Sequence, residues 1–192
     1  MGEPVHELVL IKSSDSLSGS MKKFIALSPF VCLATHGNDG SCDVSPRGDA
    51  PGFVHVLDDK TLVIPDRPGN KRLDSILNII NQPNMALLFM IPGVLETLRV
   101  NGSGTVSNDP ELLERFDVNG KLPSLVIVVT VEEAFGHCSK AFRRSKLWDT
   151  DYLPKTKAPS LAEMMSGHLQ LDEDTSSILE AAIEDDAQNN MY

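Results

Sequence analysis

The chain has 192 residues, 41% of them hydrophobic and 23% charged, with 27 acidic side chains against 17 basic and a formal net charge of −10. That length supports one domain with a proper core, and the acidity argues against non-specific nucleic-acid binding, which rests on neutralising phosphates. Three cysteines without framework or zinc spacing, no run near the ~18 apolar residues of a membrane span, and no basic-then-apolar leader pattern read as a soluble cytoplasmic protein without a metal.

In chain order, SGSMKKFIALS (residues 18–28) predicts a serine-capped helix carrying Met21, Phe24, Ile25 and Leu27. FVCLATH, GNDG and SCDVSPR predict a hairpin of apolar strand, turn and second strand. A second hairpin is expected over GFVHVLDDKTLVIP, with Asp58 and Asp59 at its turn; His55 sits mid-strand and reads as a core or surface histidine. The stretch PDRPGNKRLDSILNII (residues 65–80) then passes from a turn rich in Pro, Gly and positive charge into a helix. Its apolar residues Leu73, Ile76, Leu77 and Ile80 recur at helical spacing, and Asn70 is a fit N-cap. NMALLFMIP and GVLETLRVNGSGTVS predict another hairpin about Pro92 and Gly93, PELLERF a short helix, and LPSLVIVVTVEEAF a strand buried on both faces.

At least six strands with few helical interruptions point to a mainly β (α+β) domain over residues 1–170, built on a closed or nearly closed antiparallel barrel. Residues 171–192 hold seven acids and no base, so the remaining body is nearly balanced at 20 acids against 17 bases. That segment reads as a short amphipathic helix, with Ile178, Leu179, Ala182 and Ile183 on one side, or as a solvating tail.

A nearly balanced body leaves room for a local anion pocket. Lys71 and Arg72 in a first helical turn oppose the helix dipole, a penalty of a few tenths of a kcal/mol. Such a turn also presents unsatisfied amides, so a small bound anion is one explanation and a solvated basic turn the other. Arg47, between Pro46 and Gly48 at a strand end, is fork-shaped for phosphate. HCSKAFRRSKLW (residues 137–148) gathers Lys140, Arg143, Arg144 and Lys146 beside the single Trp, with no acid among them. It can line a flat conjugated ligand or form a basic surface loop. With two Tyr and one Trp, the chain is poorly equipped to stack nucleic-acid bases.

VSPRGDAPGFV, TLVIPDRPGNKRLDSILNII, ALLFMIPGVLETLRVNGSG and HCSKAFRRSKLW, in that order, resemble the FMN-binding split-barrel flavoproteins related to pyridoxamine 5′-phosphate oxidase. The resemblance spans residues 30–148 and lies in the whole set of motifs. It implies a six-stranded antiparallel split β-barrel with peripheral helices, and a homodimer binding two FMN molecules between its subunits. It further implies that Arg47 flanks the cofactor, that Pro65 and Asp66 meet the isoalloxazine edge, and that Asn70, Lys71 and Arg72 grip the phosphate. Thr97 and Arg99 would lie near the ribityl chain or ring edge. The closing segment, with His137, Lys140, Arg144, Ser145 and Trp148, would come from the second subunit. The late Arg-x-His pair that the vitamin oxidases use for substrate is missing, so a different small-molecule substrate is expected; no catalytic acid or base is assigned. The two readings are an FMN-dependent oxidoreductase and a non-catalytic binder of FMN, haem or a flavin-like ligand on the same fold.

Overall fold

A computed structural model describes residues 12–69, 72–149 and 158–192. The first helix, α1 (Gly19–Leu27), opens on Ser18, whose hydroxyl accepts from the Met21 amide, and it buries Ile25 in the core. Strands β1 (Phe30–His36) and β2 (Cys42–Gly48) form the expected hairpin, with Gly40 in the left-handed region (φ 82°) at its turn. The second hairpin joins β3, shortened to His55–Val56, to β4 (Thr61–Asp66). After helix α2 (Asp74–Asn81) come β5 (Asn84–Met90) and β6 (Thr97–Ser107), and then the short α3 (Pro110–Leu113), which runs into a 3₁₀ turn, Glu114–Phe116. Strand β7 (Leu125–His137) leads to α4 (Lys140–Ser145), α5 (Leu161–Leu169) and α6 (Glu173–Asn189).

The strands make one antiparallel sheet in the order β2-β1-β5-β6-β7-β4-β3. This corrects the expectation of six strands and rules out the fully closed form of the closed or nearly closed barrel: the described residues form seven strands, and the sheet stays open between β2 and β3. It nevertheless curls, because Arg47 on edge strand β2 reaches Asp66 on β4 at 2.5 Å although four strands stand between them in the sheet order. Side chains, and no ladder of main-chain bonds, span this split. Edge strand β2 carries Pro46, which cannot donate to a further strand, and β3 is too short to template one.

Period-two burial sets the core. Val31 and Leu33, Leu87 and Phe89, and Leu62 and Ile64 all turn to one interior, each at 1% exposure or less. Strand β7 is buried on both faces near its start, as its continuous apolar run predicts. Ile127 and Val129 enter the main core, while Val126 joins Val63 and Phe116 in a smaller cluster beneath α3. Burying each such side chain contributes about 1.5–3 kcal/mol.

Helix α2 differs from its sequence reading in start and in face. It begins at Asp74 with Leu73 as N-cap, later than an Asn70 cap requires, and Asn70 and Lys71 lie outside the described residues. Its buried residues are Ser75, Ile76 and Ile79, whereas Leu73, Leu77 and Ile80 are exposed. Polar contacts explain the rotation. Ser75 shares a hydrogen bond with Ser45 at 3.2 Å, and the Asn78 amide donates to Thr35 and Asp43 at 3.1 and 2.5 Å. The apolar period ignored these partners, which come from a hairpin about 30 residues earlier.

The acidic C-terminal segment is helical, with Asp172 capping α6 through the Thr175 amide. Ile178 is exposed, so α6 does not use the expected apolar side as core. Among the described residues no helix is long and apolar enough to cross a membrane.

Candidate functional site

A cleft of about 980 Å³ opens where the curled sheet fails to close, walled by β2, the end of β4, and α2. Alternation along β2 turns Asp43, Ser45 and Arg47 to the same side, toward α2 and β4. The Arg47 guanidinium donates to Ser45 Oγ at 3.3 Å through Nε and to Asp66 Oδ1 at 2.5 Å through Nη1. Ser75 extends the chain of contacts to the first turn of α2, which has no side-chain cap. Backbone amides of that turn and the Arg72 side chain therefore share one rim of the cleft.

The positive charge is less concentrated than the sequence suggests. Arg47 pairs with Asp66, Arg67 with Asp49 at 2.8 Å, and Arg72 with Asp74 at 2.9 Å. These pairs differ in kind. The Arg67 and Asp49 side chains are 15% and 5% exposed, and Arg67 Nη1 also donates to the Phe116 carbonyl at 2.9 Å. Burial pushes the Asp49 carboxyl up. Hydrogen bonds from the Ala50 amide, Tyr192 and Arg67, together with the Arg67 charge, outweigh burial and hold it below the ordinary carboxylate value. Arg72, in contrast, is 75% exposed, and its contact with Asp74 is a surface pair of little net stability.

Of the expected site residues, Arg47, Pro65, Asp66 and Arg72 line this cleft. Thr97, Arg99 and His137 lie elsewhere. Leu125 at the start of β7 pairs with Asp66, whereas His137 at its end pairs with Thr97. The strand is 13 residues long, roughly 40 Å of extended chain. At that far end the Arg99 guanidinium lies 4.2 Å from the Phe135 ring centroid, and its Nη2 is 3.5 Å from Glu133 Oε2. Arg99 Nε is buried without a hydrogen-bond partner. Burial, then the Arg99 and Lys12 charges, push the His137 pKa down. Lys140, Arg144 and Ser145 stand exposed on or beside α4, and Trp148 Nε1 donates to the Val94 carbonyl at 2.9 Å, fastening this segment to the β5–β6 turn.

Sequence reasoning missed Ser45, Ser75, Asn78 and Asp43 as polar supports, and Arg67 as a cleft wall. Two-residue spacing of Asp43, Ser45 and Arg47 was a signal for the first group. Arg67 belongs to the positive turn read from the sequence, but nothing local marks its carboxylate partner, Asp49, which lies on another loop.

His55 stacks on Phe116 with ring centroids 4.2 Å apart, and burial, then Arg115, hold its pKa below the usual imidazole value. His55 and His137 thus bind protons more readily in the unfolded chain. Their contribution to stability is present above the ordinary value near pH ~6.5 and is lost as pH falls toward the depressed folded values. The urea midpoint is expected to drop between about pH 7 and pH 5. A His55→Gln variant should show a shallower drop; an equal or steeper one contradicts the assignment.

An open, curled antiparallel sheet with a polar cleft at its split is the architecture of the split-barrel class. The sequence model for the family described as pyridoxamine 5′-phosphate oxidase matches residues 17–138, and the chain belongs to that family. Among solved structures, a histidine-to-alanine variant of HupZ from Group A Streptococcus is 18% identical with a TM-score of 0.52, covering 63% of this chain and 99% of its own. HupZ itself is 20% identical with a TM-score of 0.51, covering 62% and 93%. These likenesses bear on the fold alone. No curated protein gives a significant match.

Proposed function

We propose that the protein binds FMN at two equivalent sites between the subunits of a homodimer and uses it as an oxidoreductase on a small-molecule substrate other than pyridoxamine 5′-phosphate. The observation that carries this reading is the division of the family-like residues between the two faces of the sheet: Arg47 shares a ladder row with Val31, Phe89 and Leu98, so Thr97 and Arg99 stand three strands away and point to the opposite face. A two-fold dimer can set one chain's cleft against that face of the other chain.

The residues present suit the cofactor. The cleft volume, about 980 Å³, is at the upper end of the range usual for small-molecule sites. Arg72 can exchange its weak surface partner for a phosphate, helped by the uncapped amides of α2. Ser45 and Asp66 hold the Arg47 guanidinium in place. At the far end, the orphaned Arg99 Nε supplies a donor for an acceptor brought by the partner chain or the cofactor. Bound FMN would supply the redox chemistry, with the protein contributing position, electrostatics and exclusion of water.

Purified protein should be yellow, with roughly one FMN per chain at saturation, since the two-fold pair has one equivalent site per subunit. Arg72→Ala should weaken FMN about ten- to hundredfold by removing a charge-assisted contact, while riboflavin, which lacks the phosphate, changes little. Colourless protein after reconstitution, with circular dichroism intact, overturns the cofactor assignment; equal losses for both flavins overturn the role of Arg72. A second reading, FMN binding without catalysis, is favoured by the engagement of Asp43, Asp66 and Asp74 with Asn78, Arg47 and Arg72. Oxidation of NADH or NADPH with an artificial acceptor separates the two.

A further inference from the structure

The family's sequence model matches as far as residue 138, and the chain continues through α5 and α6. Helix α5 starts with a capping box, Ser160 and Glu163 satisfying each other's backbone amides, while α6 buries none of its residues. This thinly packed arm nevertheless ends in specific contacts. Tyr192 donates its hydroxyl to Asp49 Oδ1 at 2.8 Å, and its ring centroid lies 5.3 Å from the Arg67 guanidinium. Its main-chain oxygen accepts from Lys121 Nζ at 2.9 Å.

We propose that Tyr192 is a positioning residue for phosphate binding: it clamps the Asp49–Arg67 pair from outside and thereby fixes the cleft wall, residues 67–69, that leads toward Arg72. The inference rests on the FMN reading above for its ligand, although the clamp itself is a property of this chain alone.

Asp49 and Arg67 are too buried to rely on solvent, so each needs its remaining hydrogen-bonding and charge demands met by protein. Tyr192 meets both, one with its hydroxyl and the other with its ring face. The hydrogen bond to Asp49 and the carboxylate charge raise the phenol pKa, so the hydroxyl remains a donor. Lys121 adjoins Leu122, Pro123 and Ser124, which line the cleft together with Arg67, Pro68 and Gly69. The arm's end is therefore tied to two segments of the cleft's rim without itself lining the cleft.

The test uses the full chain with Tyr192→Ala and Tyr192→Phe, the latter keeping the ring and losing the hydroxyl. In FMN-free protein, amide exchange across residues 61–69 should accelerate on the order of tenfold in Tyr192→Ala and less in Tyr192→Phe. FMN affinity should fall about tenfold in Tyr192→Ala while riboflavin affinity stays within about twofold. Unchanged exchange overturns the clamp. Equal losses for FMN and riboflavin overturn its role in phosphate binding and leave general support of the fold. A parent protein that binds no FMN overturns the cofactor reading and with it the phosphate role, while the exchange rates still decide the clamp.

Discussion

At an FMN concentration too low for either variant alone to hold flavin, Arg72→Ala and Arg144→Ala are expected to regain it when mixed, unfolded and refolded together. Arg72 stands on the cleft rim and Arg144 on α4, beyond the opposite end of β7. If each site takes its phosphate grip from one chain and its closing segment from the other, a mixed dimer has one site with both defects and one with neither. Random pairing makes half the dimers mixed, so about a quarter of all sites recover. Recovery would be read as flavin absorbance after gel filtration, with dimerisation verified by sedimentation. Were both arginines to serve one chain's own site, no mixing ratio could restore binding. A flat baseline with dimers present rules out the composite site.

The largest expected loss of stability comes from Gly102→Ala. Gly102 sits at the register shift in the β6–β7 ladder, where an added Cβ would lie 2.0 Å from the Thr130 carbonyl oxygen and 3.0 Å from its carbon. Both are backbone atoms of the neighbouring strand and cannot swing aside. The methyl must part the two longest strands or distort the bulge, a cost on the order of 3–5 kcal/mol and among the larger single-residue effects. Gly136→Ala is the matched control. Its Cβ would meet Thr97 O at 3.9 Å, an ordinary contact, so a change within about 1 kcal/mol is expected. Urea denaturation of the two variants should differ sharply; similar midpoints would show that the bulge yields at little cost.

The local features of this fold were legible in the residues. Ser18 marked the start of α1, the Gly40 turn closed the first hairpin, and the apolar run of β7 announced burial on both faces. What escaped was decided between distant segments. Helix α2 turned its Ser75 and Asn78 toward β2 because Ser45, Asp43 and Thr35 offered partners there, and an apolar period contains no information about those partners. The gathering of arginines was visible, but only Arg72 has its acid nearby in sequence; Arg47 and Arg67 find theirs 19 and 18 residues away. Helix α5 was missed although Ser160 and Glu163 stand at capping-box spacing. Of the residues that the motif order singled out, Arg47, Pro65, Asp66 and Arg72 line one cleft, while Thr97, Arg99 and His137 do not.

The split bridged by Arg47 and Asp66 also bears on how the proposed ligand would be admitted. In a closed barrel, widening the wall means peeling one strand from its neighbour and exposing a row of amides and carbonyls to be resolvated. Here β2 and β4 share no ladder, so parting them separates an ion pair and its flanking side chains while all six strand pairings persist. The seam can therefore part without breaking a strand pairing, and a ligand bound in the cleft as proposed would load and leave by local rearrangement, without global unfolding.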